Sequence, residues 1–172
     1  MNFITKTISG LIAASSLMVP VSAGTFEDHT ELARAVASTG VKLLINVPAC
    51  YEEDSGYGWY DYRKSQLVIC QENAVDEKMV SWTAEDLDTL RHEAHHIVQD
   101  CIDNALDGNL ETVYVDPDKL ISAVLTKVQI IEILKWYEDA TDTRKLMELE
   151  AFSVAIMNDP LEQTEDIKNY CF

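Results

Sequence analysis

The sequence predicts an α+β fold that is mainly helical and contains a small β-sheet. Apolar residues recur at helical spacing over residues 84–102, 117–137 and 142–157. Two shorter runs, residues 41–47 and 65–70, are rich in β-branched and aliphatic residues, which is typical of strands. The chain of 172 residues has no internal repeat and no Pro/Gly-rich linker, so one domain is expected.

The strands are predicted near the start of the chain, ahead of the long helices. A first helix over residues 27–38 should end near Gly40, because glycine favours the position that follows a helix. The strand at residues 41–47 should stop at Pro48, which has no backbone N–H to give to a sheet. Residues 51–61 are rich in glycine, tyrosine and acidic residues, and we expect a loop or an irregular hairpin there.

The next two helices begin with capping signals. Thr83 can cap the helix over residues 84–102, which has acidic residues in its first turn. Asp116 and Pro117 suit the N-cap and first position of a helix that should run to about Tyr137. The apolar stripe of that helix is expected to belong to the core, and it consists of Leu120, Val124, Val128, Ile131 and Leu134.

The N-terminal segment has the pattern of a secretory signal peptide. Lys6 supplies a positive charge, residues 8–21 are apolar and uncharged, and Ala23 ends a small-residue cleavage site. We therefore expect residues 1–23 to be removed, leaving residues 24–172 as a single secreted or periplasmic domain. The apolar run is short for a membrane span, so no stable membrane association is expected after cleavage.

The net charge limits the classes of partner. With 13 basic and 30 acidic residues, the formal charge is −17, which disfavours nucleic acid and anionic membrane surfaces. We interpret the acidic residues as a solvating surface and expect a soluble monomer.

Four cysteines lie in the part of the chain that is expected to be exported. An even number in an oxidising compartment predicts two disulfides, and four cysteines allow three pairings. We favour Cys50–Cys70, which would close a hairpin-like excursion, and Cys101–Cys171, which would tie the C-terminal tail to the preceding long helix. Cysteine ligands to zinc are the alternative, but the sequence contains no C-x-x-C pair.

Three of the four histidines fall within five residues. The run His92-Glu93-Ala94-His95-His96 matches the pattern H-E-x-x-H. Positions i and i+4 share one face of a helix, so His92 and His96 can both reach one metal ion. The pattern indicates a zinc site with Glu93 as general base toward a metal-bound water. The alternative is a surface helix that happens to carry histidines.

The helix over residues 84–102 is predicted to have two different faces. At about 100° per residue, its apolar residues cluster on one side and the residues of the H-E-x-x-H motif fall on the other. The apolar side consists of Leu90, Ala94, Ile97 and Cys101. This division predicts a helix that lies between a hydrophobic core and a metal-lined cleft.

The motif resembles the active-site helix of the zincin metallopeptidases, and of their gluzincin type in particular. The resemblance implies a minimal zincin-like fold with a small sheet, a helix that carries the H-E-x-x-H motif and a following helix that carries a glutamate ligand. It implies Zn²⁺ as cofactor and a peptide or protein as substrate. The resemblance covers residues 84–102 and 142–157, together with the placement of strands before the metal helix.

The helix over residues 142–157 supplies two candidates for the third metal ligand, Glu148 and Glu150. The E-x-E-A run at residues 148–151 resembles that of ImmA-like peptidases, and also the E-x-x-A-D run of the CaaX-type zinc proteases. In those families the glutamate three positions before the alanine is the ligand, which implies Glu148. They also place Asp or Asn four positions after the ligand to hold a histidine, whereas this chain has Phe152. Glu150 remains the alternative.

Several further residues are candidates for supporting roles. Gln99 and Asp100 lie one turn after the motif, and either could orient an imidazole. His95 is expected next to the site but not as a ligand, and His29 is expected on the surface. Residues 65–70 could align an extended peptide by backbone hydrogen bonds. The candidate donors for an oxyanion are Tyr114, Tyr137 and Tyr170.

The resemblance implies a secreted zinc-dependent metallopeptidase that hydrolyses peptide bonds. The alternative is an exported zinc-binding or disulfide-stabilised module without catalytic activity. An intact Glu93 argues against a purely structural metal, because a structural site has no need of a general base.

Overall fold

The computed structural model describes residues 24–52, 55–103 and 105–172, so the predicted signal peptide lies outside the described residues. The fold is α+β and mainly helical, with one three-stranded sheet among the described residues. Its elements are α1 (Phe26–Ser38), β1 (Lys42–Ile45), a 3₁₀ helix (Pro48–Tyr51), β2 (Gly58–Asp61), β3 (Gln66–Ile69), α2 (Ala84–Asp100), α3 (Pro117–Val124), α4 (Lys127–Trp136), α5 (Asp142–Met157) and α6 (Pro160–Cys171).

The sheet has the order β1-β3-β2, with β1 parallel and β2 antiparallel to β3. Strand β2 lies within the segment that was expected to be a loop or an irregular hairpin. The central strand is β3, and its Leu67, Val68 and Ile69 are buried. The expectation that residues 65–70 offer a free edge to a peptide is therefore wrong, because both edges of β3 are already paired. The outer strands are β1 and β2.

The main core lies between the sheet, α1, α2 and α6. Helix α2 passes through its centre, and the apolar side predicted from the sequence faces this core. The two faces of α2 are thus separated as expected. The buried residues of this core are Leu32, Ala35, Val36, Val41, Leu67, Ile69, Leu90, Ala94, Ile97, Val98, Cys101 and Ile167.

A second apolar cluster joins α3, α4 and α5, with Ile121, Leu125, Ile133 and Leu149 buried in it.

The single helix expected over residues 117–137 is in fact two helices. The first ends at Val124, and Thr126 caps the second, since its side chain accepts from the N–H of Gln129 and the Gln129 side chain accepts from the Thr126 N–H. The break rotates α4, so Val128 and Ile131 of the expected core stripe are 64% and 55% exposed.

Helix α5 has the bounds that the sequence predicted, and its residues 147–151 are all buried. Helix α6 was not predicted, although its start carries a strong signal. Asp159 caps it in a reciprocal pair with Glu162, and Pro160 occupies its first position.

His29 of α1, expected on the surface, is buried, and its Nδ1 lies 2.8 Å from the carbonyl oxygen of Thr25.

Both disulfides have the pairing that the sequence favoured. Cys50–Cys70 ties the 3₁₀ helix to the end of β3, and Cys101–Cys171 ties the end of α2 to the end of α6. The second bridge holds the C-terminal helix against the main core. Among the described ranges, no helix is both long enough and apolar enough to cross a membrane.

Loss of the Cys101–Cys171 bridge should destabilise the fold by about 4 kcal/mol, because a loop of 70 residues would no longer be closed in the unfolded chain. Urea unfolding of the Cys101→Ala/Cys171→Ala double variant measures this change. Phe172→Ala is the matched control, since that neighbouring side chain is 73% exposed and should matter little. Equal stability of the double variant and the control would contradict the prediction.

Candidate metal centre

Helices α2 and α5 pack side by side and bring three ligand atoms together. The Nε2 atoms of His92 and His96 are 3.2 Å apart, and Glu148 Oε2 lies 3.2 Å from the first and 3.4 Å from the second. All three residues are buried, with exposures of 7%, 1% and 1%. In the described part of the chain, this is the one group of His, Cys, Asp or Glu side chains found that could hold a metal ion, and it is here named the metal group.

The spacing of the three atoms suits a small divalent ion. Ligand atoms bound tetrahedrally at about 2.0–2.1 Å, as around zinc, lie about 3.3–3.4 Å from one another. The observed edges of 3.2, 3.2 and 3.4 Å are close to that value. Two imidazoles and one carboxylate are also a donor set that zinc prefers. The residues present therefore fit a divalent metal ion, with one position left for another ligand.

Glu93 lies beside this group without belonging to it. Its Oε1 is 3.9 Å from His92 Nε2, while the group whose ligand atoms all lie within 4.8 Å of one another consists of His92, His96 and Glu148 alone. On its other side Glu93 approaches β2, where a Cβ added to Gly58 would lie 3.5 Å from the Glu93 Cγ and only 2.6 Å from the Val68 carbonyl oxygen. The glycine thus lets β2 pack closely against β3 and against Thr89 of α2, one turn before Glu93.

Gln99 determines which nitrogen of His96 is free. The Gln99 Nε2 donates to the Met147 carbonyl and to Glu150, at 3.1 and 3.0 Å, so the orientation of the amide is fixed. Its Oε1 lies 2.7 Å from His96 Nδ1 and must accept from it. A proton on Nδ1 leaves the Nε2 lone pair of the neutral ring directed at the metal group.

Glu150, the alternative third ligand, lies outside the group and supports it. Its carboxylate accepts from Gln99, from His95 Nε2 at 3.0 Å, and from the backbone N–H groups of Val113 and Tyr114 at 2.9 and 3.1 Å. Burial alone would raise the pKa of Glu150, but these donors outweigh it and hold the pKa below its usual range. The charged carboxylate of Glu150 connects α2 to the segment that precedes α3.

The second oxygen of Glu148 faces Arg144, one turn earlier on α5. The Arg144 guanidinium lies 2.5 Å from Glu148 Oε1, while His92 and His96 contact the other oxygen, Oε2. Burial opposes ionisation of Glu148, but His96 and His92 outweigh it and keep its pKa well below the usual range. The glutamate is therefore charged and positioned to offer a single oxygen to the ion.

His92 is held by packing, in contrast to His96. The ring of Phe152 lies 4.3 Å from the His92 ring, centroid to centroid. The Nδ1 atom of His92 is buried and has no hydrogen-bond partner among the described residues. Asp100, the other candidate to orient an imidazole, accepts instead from the Tyr60 hydroxyl and the Gly108 N–H.

Of the three candidate tyrosines, Tyr137 is the one whose pKa responds to the metal group. Burial raises the pKa of Tyr137 well above its usual range, and the charges of Glu148 and Glu93 raise it further. Its hydroxyl therefore keeps its proton. Tyr114 lies by Glu150, and Tyr170 packs against the main core.

Sequence reasoning missed the contacts of Arg144, Phe152 and Glu150. A signal existed for the first, because Arg144 and Glu148 stand four residues apart on a helix, where opposite charges meet. The contact of Phe152 with His92 and that of Glu150 with Gln99 join α5 to α2, and residue spacing within one helix does not predict contacts between two helices.

Gln99→Leu should weaken binding of one Zn²⁺ or Co²⁺ per chain by about 10–100-fold, because His96 loses the acceptor that fixes its proton. Titration against a competing chelator measures the affinity. Gln71→Leu is the matched control, since Gln71 is also buried and bonds to Asn46 and Val80 far from the group in sequence. Unchanged metal affinity in Gln99→Leu would show that the amide does not orient the ligand.

Comparison with known proteins identifies a family but no activity. Residues 17–172 match a family model described as a domain of unknown function, DUF8637. No curated protein and no solved structure matches the chain significantly. Since the match covers nearly all of the sequence, the chain belongs to the DUF8637 family.

Proposed function

We propose that this protein is a zinc-dependent metallopeptidase. The observation that supports the proposal most is the buried triangle of His92, His96 and Glu148 with Glu93 beside it. In this proposal, the H-E-x-x-H spacing supplies two ligands and a carboxylate base from α2, and Glu148 of α5 supplies the third ligand. A zincin-like arrangement of these two helices is part of the proposal.

The residues divide the chemistry between them. His92, His96 and Glu148 would hold the ion, which when bound lowers the pKa of a coordinated water and polarises the substrate carbonyl. Glu93 would take the proton of the attacking water and pass it to the leaving amine. Tyr137, protonated and close to both glutamates, is the candidate donor to the oxygen that gains charge.

The edge of β2 is the candidate site for aligning a peptide. Strand β2 pairs with β3 on one side, and no strand of the described residues pairs with its other side. Gly58 brings this strand next to Glu93. An extended peptide added to the free edge by backbone hydrogen bonds would run past the base.

The proposal includes export. Two disulfides suit an oxidising compartment, and both lie in the part of the chain that follows the predicted signal peptide. Reducing conditions would remove the bridge at the end of the metal helix.

A second candidate function is supported by the burial of the group. With His96 and Glu148 each 1% exposed, the ion could serve as a structural clamp between α2 and α5 in a non-catalytic exported module. The two functions differ in the role of Glu93, which only catalysis requires.

Glu93→Gln should retain one zinc ion per chain while cleavage of a denatured protein such as casein falls by about 10²–10⁴-fold, because the general base is lost. His96→Ala should lose both zinc and cleavage. Metal content and the rate of peptide release are the two measurements. Glu85→Gln, an exposed position on the same helix, is the control and should behave like the parent.

Two results would go against the proposal, and they have different meanings. A parent protein that binds zinc but cleaves no denatured protein would favour the structural clamp. A parent that folds with both disulfides and binds no divalent metal would exclude both functions.

A further inference from the structure

We propose that Phe152 and Trp136 form a binding surface for an apolar side chain of the substrate, next to the metal group. This surface, here named the aromatic wall, rests on the proposed function. It adds a substrate class to it, namely polypeptides with an aromatic or large aliphatic residue beside the cleaved bond.

The aromatic wall leads from a metal ligand to the surface. Phe152 packs against the ring of His92 at 4.3 Å between centroids, and the Trp136 ring lies 6.2 Å from the Phe152 ring. Both pairs are tilted by about 50°, with angles of 52° and 51°. Trp136 is nevertheless 70% exposed. Phe152 thus connects the ring of a candidate metal ligand to an exposed aromatic ring at the surface.

The folded core does not account for Trp136. Helix α4 contributes Ile133 to the buried cluster with α3 and α5, with Ile130 and Leu134 packed around it, whereas Trp136 is outside that cluster. Scattered exposed apolar residues are common on soluble proteins. Trp136 differs from those because its one described aromatic contact, Phe152, itself touches a metal ligand.

The surrounding charges favour an uncharged occupant. An acidic side chain would meet Glu93 and Glu148 in a chain of net charge −17. A cationic side chain would be attracted by the same glutamates, but it would also approach Arg144, which pairs with Glu148, and a divalent ion held by the group. An apolar side chain has neither cost and gains contact with two rings.

Hydroxamates test the aromatic wall without depending on proteolysis, since they bind zinc directly and can carry different arms. Acetohydroxamate carries a methyl group, phenylacetohydroxamate adds a phenyl ring, and 6-aminohexanohydroxamate adds an ammonium group. On the zinc-loaded protein, the phenyl compound should bind about 10–100-fold more tightly than acetohydroxamate. Calorimetry on the parent, Trp136→Ala and Phe26→Ala gives the dissociation constants.

The variants distinguish binding of the phenyl arm at the aromatic wall from non-specific hydrophobic binding of that arm elsewhere. Trp136→Ala should reduce the phenyl gain to less than about 3-fold and leave acetohydroxamate binding unchanged, because only the arm contacts the ring. Phe26→Ala removes another exposed aromatic side chain, 60% exposed on α1, and should keep the full gain. Thermal unfolding of Trp136→Ala checks that the fold is intact, and Trp136→Leu, which keeps an apolar side chain, should retain part of the gain.

Each outcome decides a specific point. An equal phenyl gain in the parent and Trp136→Ala, or tighter binding of the ammonium compound than of the phenyl compound, would overturn the aromatic wall. Trp136-dependent phenyl binding in a protein that cleaves no peptide would support the wall and count against the peptidase activity alone. If no hydroxamate binds because no zinc is held, both proposals fail together.

Discussion

Two imidazole nitrogens and a carboxylate oxygen share one buried space between α2 and α5, and the arrangement of the molecule depends on holding them there. Three atoms with lone pairs directed at a common point repel one another unless a cation or protons lie between them. Their edges of 3.2 to 3.4 Å therefore require firm support from outside the group. The main core fixes one face of α2, and α5 is held by the cluster that it forms with α3 and α4.

The two histidines are supported by different kinds of interaction. His96 is fixed by a chain of hydrogen bonds through Gln99 to Glu150, which also binds the backbone before α3. His92 is fixed by the ring of Phe152 and has no such chain among the described residues. One imidazole thus has a defined proton position, and the other has a defined ring plane with less restriction on its proton. Polar support and apolar support meet at the same candidate metal centre.

Much of this arrangement was predictable, because the decisive signals lie within single helices. The spacing of His92 and His96 and the apolar face of α2 follow from helical geometry alone. The choice between Glu148 and Glu150 did not follow, because the two carboxylates contact successive turns of α2 and only the rotation of α5 decides which reaches the histidines. Strand β2 was expected only as part of a loop or an irregular hairpin, because its residues 58–61 lack the β-branched and aliphatic residues that mark β1 and β3. The break at Thr126 was hidden by an apolar pattern that continues across it.

Gly58 gives the sheet a part in setting the geometry of the site. Any side chain there would collide with the Val68 carbonyl of β3 and with Thr89 of α2, so β2 would have to move away from both. The distance between the edge strand and Glu93 is thus set by the absence of a single methyl group, although neither Gly58 nor β2 carries a reactive atom. Among sequences that share this fold, a larger residue at position 58 would mark a strand and a helix that have separated, even where every histidine and glutamate is retained.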